Sequence, residues 1–187
     1  MKRIFFCSLF VFLIACQQNT SNNILYSSKF DDIKYFGEDS FLLEGTDIAD
    51  SLKENKYDRL PASYKGFVRE PVWNLSKNSA GLSIRFLSNS SVITAKWELL
   101  NNFSMNHMPD TGTKGIDLYF KNNDKWQYIN TGIPTGFNNE YRLIDNMDNE
   151  LREYKIFLPL YDGIKNIEIR VDNSSFIQKP KKSERKP

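Results

Sequence analysis

Cysteine is nearly missing from this 187-residue chain, and the two that occur, Cys7 and Cys16, both lie at its start. Everything after them has no thiol, no disulfide and no cysteine metal site. Histidine is scarcer still, with His107 alone, so a zinc site lacks its usual ligands. No charge of one sign dominates, the formal net charge being +2. Outside the Lys-rich last residues no basic stripe is interleaved with aromatics, which leaves no surface for nucleic acid. Long apolar runs are absent too. The longest, Ile4 to Ala15, falls short of the roughly 20 residues that a bilayer-spanning helix needs. Helical periodicity is rare, and no internal repeat occurs.

What the first residues do carry is a targeting pattern. Lys2 and Arg3 precede the apolar run, as in the positive start and h-region of a signal peptide. The run ends Leu13-Ile14-Ala15-Cys16, which resembles a lipobox. That resemblance implies a signal peptide over 1–15, cleavage before Cys16 and lipidation of Cys16. Residues 16–29 then read as a lipidated Cys and polar tether, beginning Gln17-Gln18-Asn19-Thr20, too polar to fold alone. Multiple acyl chains anchor a protein far more firmly than one. By the same resemblance, Gln rather than Asp at position 17 implies the outer membrane as destination. No acidic run follows Cys16, so the periplasmic side is favoured over the cell surface.

The remaining chain is long enough for one domain with a real core. Its aromatic content is high, at 14%, and such residues favour strands. Apolar residues alternate with polar ones at Leu82/Ile84/Phe86, Ile93/Ala95/Trp97/Leu99, Ile116/Leu118/Phe120, Tyr154/Ile156/Leu158/Leu160 and Ile167/Ile169/Val171. Each set predicts a strand with one buried face. Earlier strands are expected near Ile33–Phe36 and Ser40–Leu43, with a helical turn around Ile48–Asn55. Lys121-Asn122-Asn123-Asp124-Lys125 reads as a hairpin turn. The expectation is an all-β fold over residues 30–177: an antiparallel β-sandwich, jelly-roll-like, of eight to ten strands. Residues 178–187, rich in Lys and Pro, read as a linker. Asn101 to Lys114 is the longest unpatterned loop, and long loops in compact sandwiches tend to be functional or packed over a sheet end.

Five motifs in order carry a further resemblance: Tyr57-Asp58-Arg59-Leu60-Pro61, Trp73-Asn74-Leu75-Ser76, Ser79-Ala80-Gly81-Leu82, His107-Met108-Pro109-Asp110-Thr111-Gly112 and Gly115-Ile116-Asp117-Leu118-Tyr119. Together they resemble the N-terminal β-sandwich, named for its Gly-x-Asp-Leu-Tyr motif, of a group of SGNH/GDSL-type esterases. The resemblance covers nearly all of 30–177. It implies an accessory domain that docks on an SGNH catalytic domain and helps shape its cleft, with acyl esters, plausibly of acetylated glycans, as substrates. It implies that this catalytic domain, the partner in cis in relatives, is missing here beyond the linker.

Hydrolysis of that kind needs a nucleophilic Ser, a His base and an orienting Asp. The family supplies the last two from one Asp-x-x-His turn, and this chain has none: Ser104 stands three before His107. Gly37-Glu38-Asp39-Ser40 imitates a nucleophile block but carries an inserted residue. No catalytic residue is therefore assigned, and the chain alone is not expected to be an enzyme. Ligand or interface candidates are His107, Met108, Asp110, Thr111, Asp117, Tyr119 and Trp126. His107-Met108-Pro109 either packs over a sheet end or projects into a composite cleft. Asp117 and Tyr119 either line an interface or serve structure, Asp117 accepting loop amides and Tyr119 packing on a neighbour. Arg85 is a candidate ion-pair partner for Asp117. Trp97 is expected in the core. Trp126 is the better candidate for sugar stacking, which would suit the alternative of a stand-alone carbohydrate-binding lipoprotein. Asp145, Asp148 and Glu150 could hold Ca²⁺ but read more simply as a solvated loop. No cofactor or metal is expected.

Overall fold

A computed structural model describes residues 33–182. The signal segment 1–15, Cys16, the tether to residue 29 and residues 183–187 lie outside the described residues. Within them run ten strands: β1 (Ile33–Phe36), β2 (Leu42–Glu44), β3 (Ser83–Ser88), β4 (Ile93–Leu99), β5 (Ile116–Asn122), β6 (Lys125–Gly132), β7 (Asn138–Ile144), β8 (Arg152–Phe157), β9 (Ile164–Asp172) and β10 (Ile177–Gln178). Two short helices accompany them, α1 (Glu70–Leu75) and α2 (Asp110–Lys114), with 3₁₀ turns at Glu38–Ser40, Asp50–Leu52 and Ala62–Tyr64. No helix among the described residues is long and apolar enough to cross a membrane.

The strands form two antiparallel sheets, ordered β1-β9-β4-β7 and β10-β3-β8-β5-β6, with β2 also paired to β3. From β3 to β9 the chain changes sheet at every connection except the β5–β6 hairpin. That order is a jelly roll. The hairpin turns on Asn123 and Asp124, both at positive φ (47° and 63°), the two-residue turn whose twist matches paired strands.

Period-2 alternation explains the core. Ile84 and Phe86, Ile93, Ala95 and Trp97, Ile116 and Leu118, Tyr154 and Ile156, and Ile167 and Ile169 all point between the sheets and are essentially inaccessible. Each of the larger aliphatic and aromatic ones contributes about 1.5–3 kcal/mol by leaving water. Phe86 stacks on Tyr154 with ring centroids 5.5 Å apart.

Several boundaries differ from the expectations. The strand expected at Ser40–Leu43 starts later, at Leu42, because Glu38–Ser40 forms a 3₁₀ turn. There the Glu38 carboxylate receives the Tyr57 hydroxyl at 3.0 Å and Lys56 Nζ at 3.1 Å. That turn is also where the Gly37-Glu38-Asp39-Ser40 segment lies. The strand expected to reach Leu160 stops at Phe157. Pro159 has no N–H for a ladder, and Leu160 is exposed. Lys125–Gly132 and Asn138–Ile144 are strands with little apolar alternation to signal them. At the C-terminal side, Ile177 and Gln178 pair with Ser88 and Leu87, and the Lys181 carbonyl accepts Arg85 Nη2 at 2.6 Å. The start of the expected linker is therefore held against the sheet.

Candidate functional site

One end of the sandwich gathers the loops that follow β4 and β8, the β6–β7 loop and the segment that carries α1. Asp162 joins them. Its carboxylate is fully buried. Oδ1 accepts the backbone N–H of Asn101 (3.0 Å), the side-chain amide of Asn101 (3.1 Å) and the N–H of Gly163 (2.7 Å), while Oδ2 accepts the N–H of Asn102 at 2.7 Å. Its carbonyl accepts the N–H of Ser79 at 2.9 Å, and Ser79 Oγ accepts that of Ile164 at 3.2 Å. Sequence reading finds only a turn at Asp162-Gly163. Convergence of four donors from two loops leaves no spacing signal.

Asn102 passes this order onward. It holds φ at 55°, a left-handed conformation that Asn tolerates better than most residues. Its Oδ1 accepts Lys114 Nζ at 2.8 Å. Lys114 is buried and also reaches Ser104 Oγ at 3.2 Å and Asp110 Oδ2 at 3.3 Å. Lys114 and Asp110 are placed by α2, the helix inside the loop expected to be irregular. Pro109 precedes it as N-cap, Asp110 lies in its first turn and Lys114 in its last, the arrangement that suits a helix dipole. One and a half turns are too short for periodicity to register. Asp110 titrates below its ordinary range, first because Ser104 donates to it and then through Lys114. A depressed carboxylate contributes order above its unfolded pKa and loses it as pH falls through the folded value. The loop is therefore expected to loosen in acid, read by NMR as Asp110 protonation coinciding with shifts at Ser104 and Lys114.

Upon this clamp, a bridge between Met105 and Met108 closes a turn. His107 sits exposed at its tip, with Nδ1 3.0 Å from Asn106 Oδ1. Met108 is half-buried and packs on Gly112. Ser104 is bonded to Lys114 and Asp110. Replacing Lys114 with Met is expected to lower stability by about 1–2 kcal/mol and to speed amide exchange across 102–108 by a larger factor than elsewhere.

Asp117, Tyr119 and Trp126 lie away from that turn, on the outer face of the larger sheet. Thr131 Oγ1 donates to Asp117 Oδ1 at 2.6 Å, and the Tyr128 hydroxyl lies 2.8 Å from Thr131 Oγ1. With the Thr131 proton directed at Asp117, Tyr128 is the donor to Thr131. Asp117 thus ties β5 to β6 and does not accept loop amides. Tyr119 packs edge-on against Tyr128 and Phe157, at 5.6 and 5.4 Å. Arg85 pairs with Glu44 (3.3 Å) and Glu153 (3.1 Å), one strand removed from Asp117. Trp126 is half-buried, with Lys155 Nζ over its ring at 4.6 Å, so a sugar would compete with that cation. Trp97 is in the core as expected. Asp148 and Glu150 both engage Arg152, and Asp145 engages Arg142. No cluster of metal-ligating side chains occurs among the described residues.

The Tyr57-Asp58-Arg59 motif anchors the α1 segment. Tyr57 is buried, and burial together with Glu38 pushes its hydroxyl pKa up. Asp58 accepts Lys77 Nζ at 2.6 Å, and Arg59 Nη2 donates to the Leu75 carbonyl. Lys77 Nζ in turn sits 4.1 Å from the centre of the Trp73 ring.

A family model described as GxDLY, the N-terminus of SGNH-hydrolase-type esterases, matches residues 33–177. No curated protein matches the chain. Among solved structures, a protein of Bacteroides ovatus with the provisional description GDSL-like lipase is similar at 36% identity and a TM-score of 0.74, over 80% of this chain and 43% of that one. The salicylyl-acyltransferase SsfX3 of a tetracycline biosynthetic pathway is similar at 11% identity and a TM-score of 0.54, over 81% of this chain and 43% of its own. That second likeness is one of fold. The chain spans less than half the length of either structure.

Proposed function

This chain belongs to the GxDLY family of N-terminal domains of SGNH-hydrolase-type esterases, and from that membership we propose that it is an accessory sandwich that docks on an SGNH catalytic domain and helps shape its cleft. The observation that carries the proposal is the family match over 33–177, the whole jelly roll. Acyl esters, with acetylated glycans as the favoured class, are the substrates that the resemblance supports. The chain by itself is read as non-catalytic, since the exposed His107 has Asn106 beside it and not a serine and an acid.

The test uses the full chain and the part of the Bacteroides ovatus protein outside the match. Alone, the chain is expected to leave nitrophenyl acetate at the buffer rate. Mixed, the two are expected to co-elute and to raise ester turnover over the hydrolase part alone. Turnover by the chain alone that disappears in His107→Ala would overturn the non-catalytic reading.

For the N-terminal segment, we infer export and lipidation at Cys16, with anchoring in the outer membrane on the periplasmic side. Labelled palmitate is expected to enter the full chain in cells and to be lost in Cys16→Ser. Digestion by protease added to intact cells would move the domain to the outer surface.

A further inference from the structure

The two ends of the sandwich and its two sheet faces differ in chemistry. Resting on the accessory-domain reading above, we propose that the SGNH catalytic domain seats on the loop end of the sandwich, around Phe103, Phe137, Leu160 and Tyr161 and beside the His107 turn, and not on either sheet face.

Apolar exposure is marked there and continues into the α1 segment, where Phe67 is 83% and Leu75 59% exposed. Phe103 (40%), Ile133 (47%), Phe137 (50%), Leu160 (53%) and Tyr161 (40%) come from three separate loops, whereas the opposite end exposes Leu151 and Phe176. Single exposed apolar residues are ordinary, but a patch assembled from several loops marks an interaction site. Hydrogen bonds place these loops side by side: Leu99 N–H donates to the Phe137 carbonyl, Leu100 N–H to that of Gly163, and Tyr161 N–H to that of Thr113. Phe103 also lines a groove with Leu75 of α1.

Both sheet faces carry charges that already pair with one another, and the larger one also exposes the rings of Tyr128 and Phe157. On the smaller sheet Lys96 pairs with Glu168 and Arg170 with Glu140, and the Arg170 guanidinium lies 4.4 Å from the Tyr35 ring centre. On the larger, Glu44 joins Arg85 and Lys155. Seating a protein on either face would desolvate pairs that already satisfy one another. At the loop end the polar groups are turned inward, to Asp162 and Lys114, and hold the apolar ones in fixed positions. Preorganisation of this kind lowers the entropy lost on binding.

The path of the chain agrees. β10 pairs with β3 at Leu87 and Ser88, at the far end. Lys181 then lies against Arg85, and Lys182 lines a cavity with Leu42–Asp47. Glu44 is the register partner of Ser83 at the start of β3, so residues 177–182 run back toward the loop end. The β2 strand occupies the edge of β3 that β10 would otherwise follow.

The experiment measures affinity of the full chain for the same hydrolase part of the Bacteroides ovatus protein. The double variant Phe103→Asp, Leu160→Asp is expected to weaken binding at least tenfold. Tyr128→Asp, on the exposed outer face of the larger sheet, is expected to change it less than twofold. Melting curves establish that each variant is folded. On complex formation, amide exchange is expected to slow at 103–107, 134–137 and 160–161. Wild-type binding that the double variant leaves intact, or protection on a sheet face, overturns the assignment and spares the accessory reading. No binding by wild type overturns both. A self-dimer that the double variant disperses, with no hydrolase binding, assigns the loop end to a second copy and also overturns it.

Discussion

Asp162→Ala will lower the unfolding free energy by about 3–5 kcal/mol, the range for removing the charged acceptor of a buried network, and will do so without touching the sandwich core. Four donors meet this one carboxylate. Three are backbone N–H groups, which cannot rotate toward another partner. Alanine leaves them facing a cavity, and an unpaired buried amide costs far more than the net worth of the bond it lost. Asp162→Asn separates charge from geometry. Its one oxygen can still serve Asn101 and Gly163, but its NH₂ then points at the N–H of Asn102, so it falls between alanine and wild type. Urea unfolding gives the free energies. Amide exchange gives the second readout: in Asp162→Ala the loop 100–108 exchanges much faster, because Asn102 relays the order of Asp162 to Lys114. An alanine variant within about 1 kcal/mol of wild type would mean that the loop end is held by something other than this carboxylate.

The contrast between Asp162 and the strands shows why some of this molecule is legible in its sequence. Strands with one dry face write themselves as alternation. Ile93, Ala95, Trp97 and Leu99 could be assigned a side because each outward neighbour is polar, and all four are buried. β6 and β7 are equally regular but carry polar or half-exposed residues on both faces, so alternation does not reveal them. α2 is too short for a period of 3.6 residues. At the candidate site the loop was visible as a break in pattern and His107 as a singular residue, which located the turn. Its support was not visible: Lys114, Asn102 and Asp162 meet through tertiary contacts across 60 residues of chain. Asp117 and Tyr119 were grouped with His107 by motif, yet they share a strand whose side chains serve the sheet face. A motif records which residues a fold requires together, and the reason for the requirement has to be read from space.

Gly115 carries such a reason, and its replacement is the second large effect. Its φ is −74°, which any residue adopts, so backbone freedom does not explain a glycine here. Space does. A Cβ on Gly115 would stand 2.4 Å from the Thr111 carbonyl oxygen and 3.0 Å from that of Gly132. Both obstacles are backbone, one in the last turn of α2 and one at the end of β6, so relief requires moving the helix or the strand. Gly115→Ala is therefore expected to cost about 2–4 kcal/mol, at or above the upper part of the range for overpacking. Gly132→Ala is the informative neighbour. Its Cβ would meet Ile116 Cγ1 at 2.8 Å and Trp97 Cη2 at 3.0 Å, side-chain rather than backbone atoms but ones closed in the core, so about 1–3 kcal/mol is expected. Gly136→Ala, with nothing within 4 Å, should be close to neutral. The ranking Gly115, Gly132, Gly136 in chemical denaturation tests the account directly, and equal losses at 115 and 136 would sink it. Because Gly115 abuts the clamp that places His107, its alanine variant should also reduce hydrolase binding more than its stability loss predicts, which ties the first residue of the Gly-x-Asp-Leu-Tyr motif to the loop end and not to the sheet on which Asp117 and Tyr119 lie.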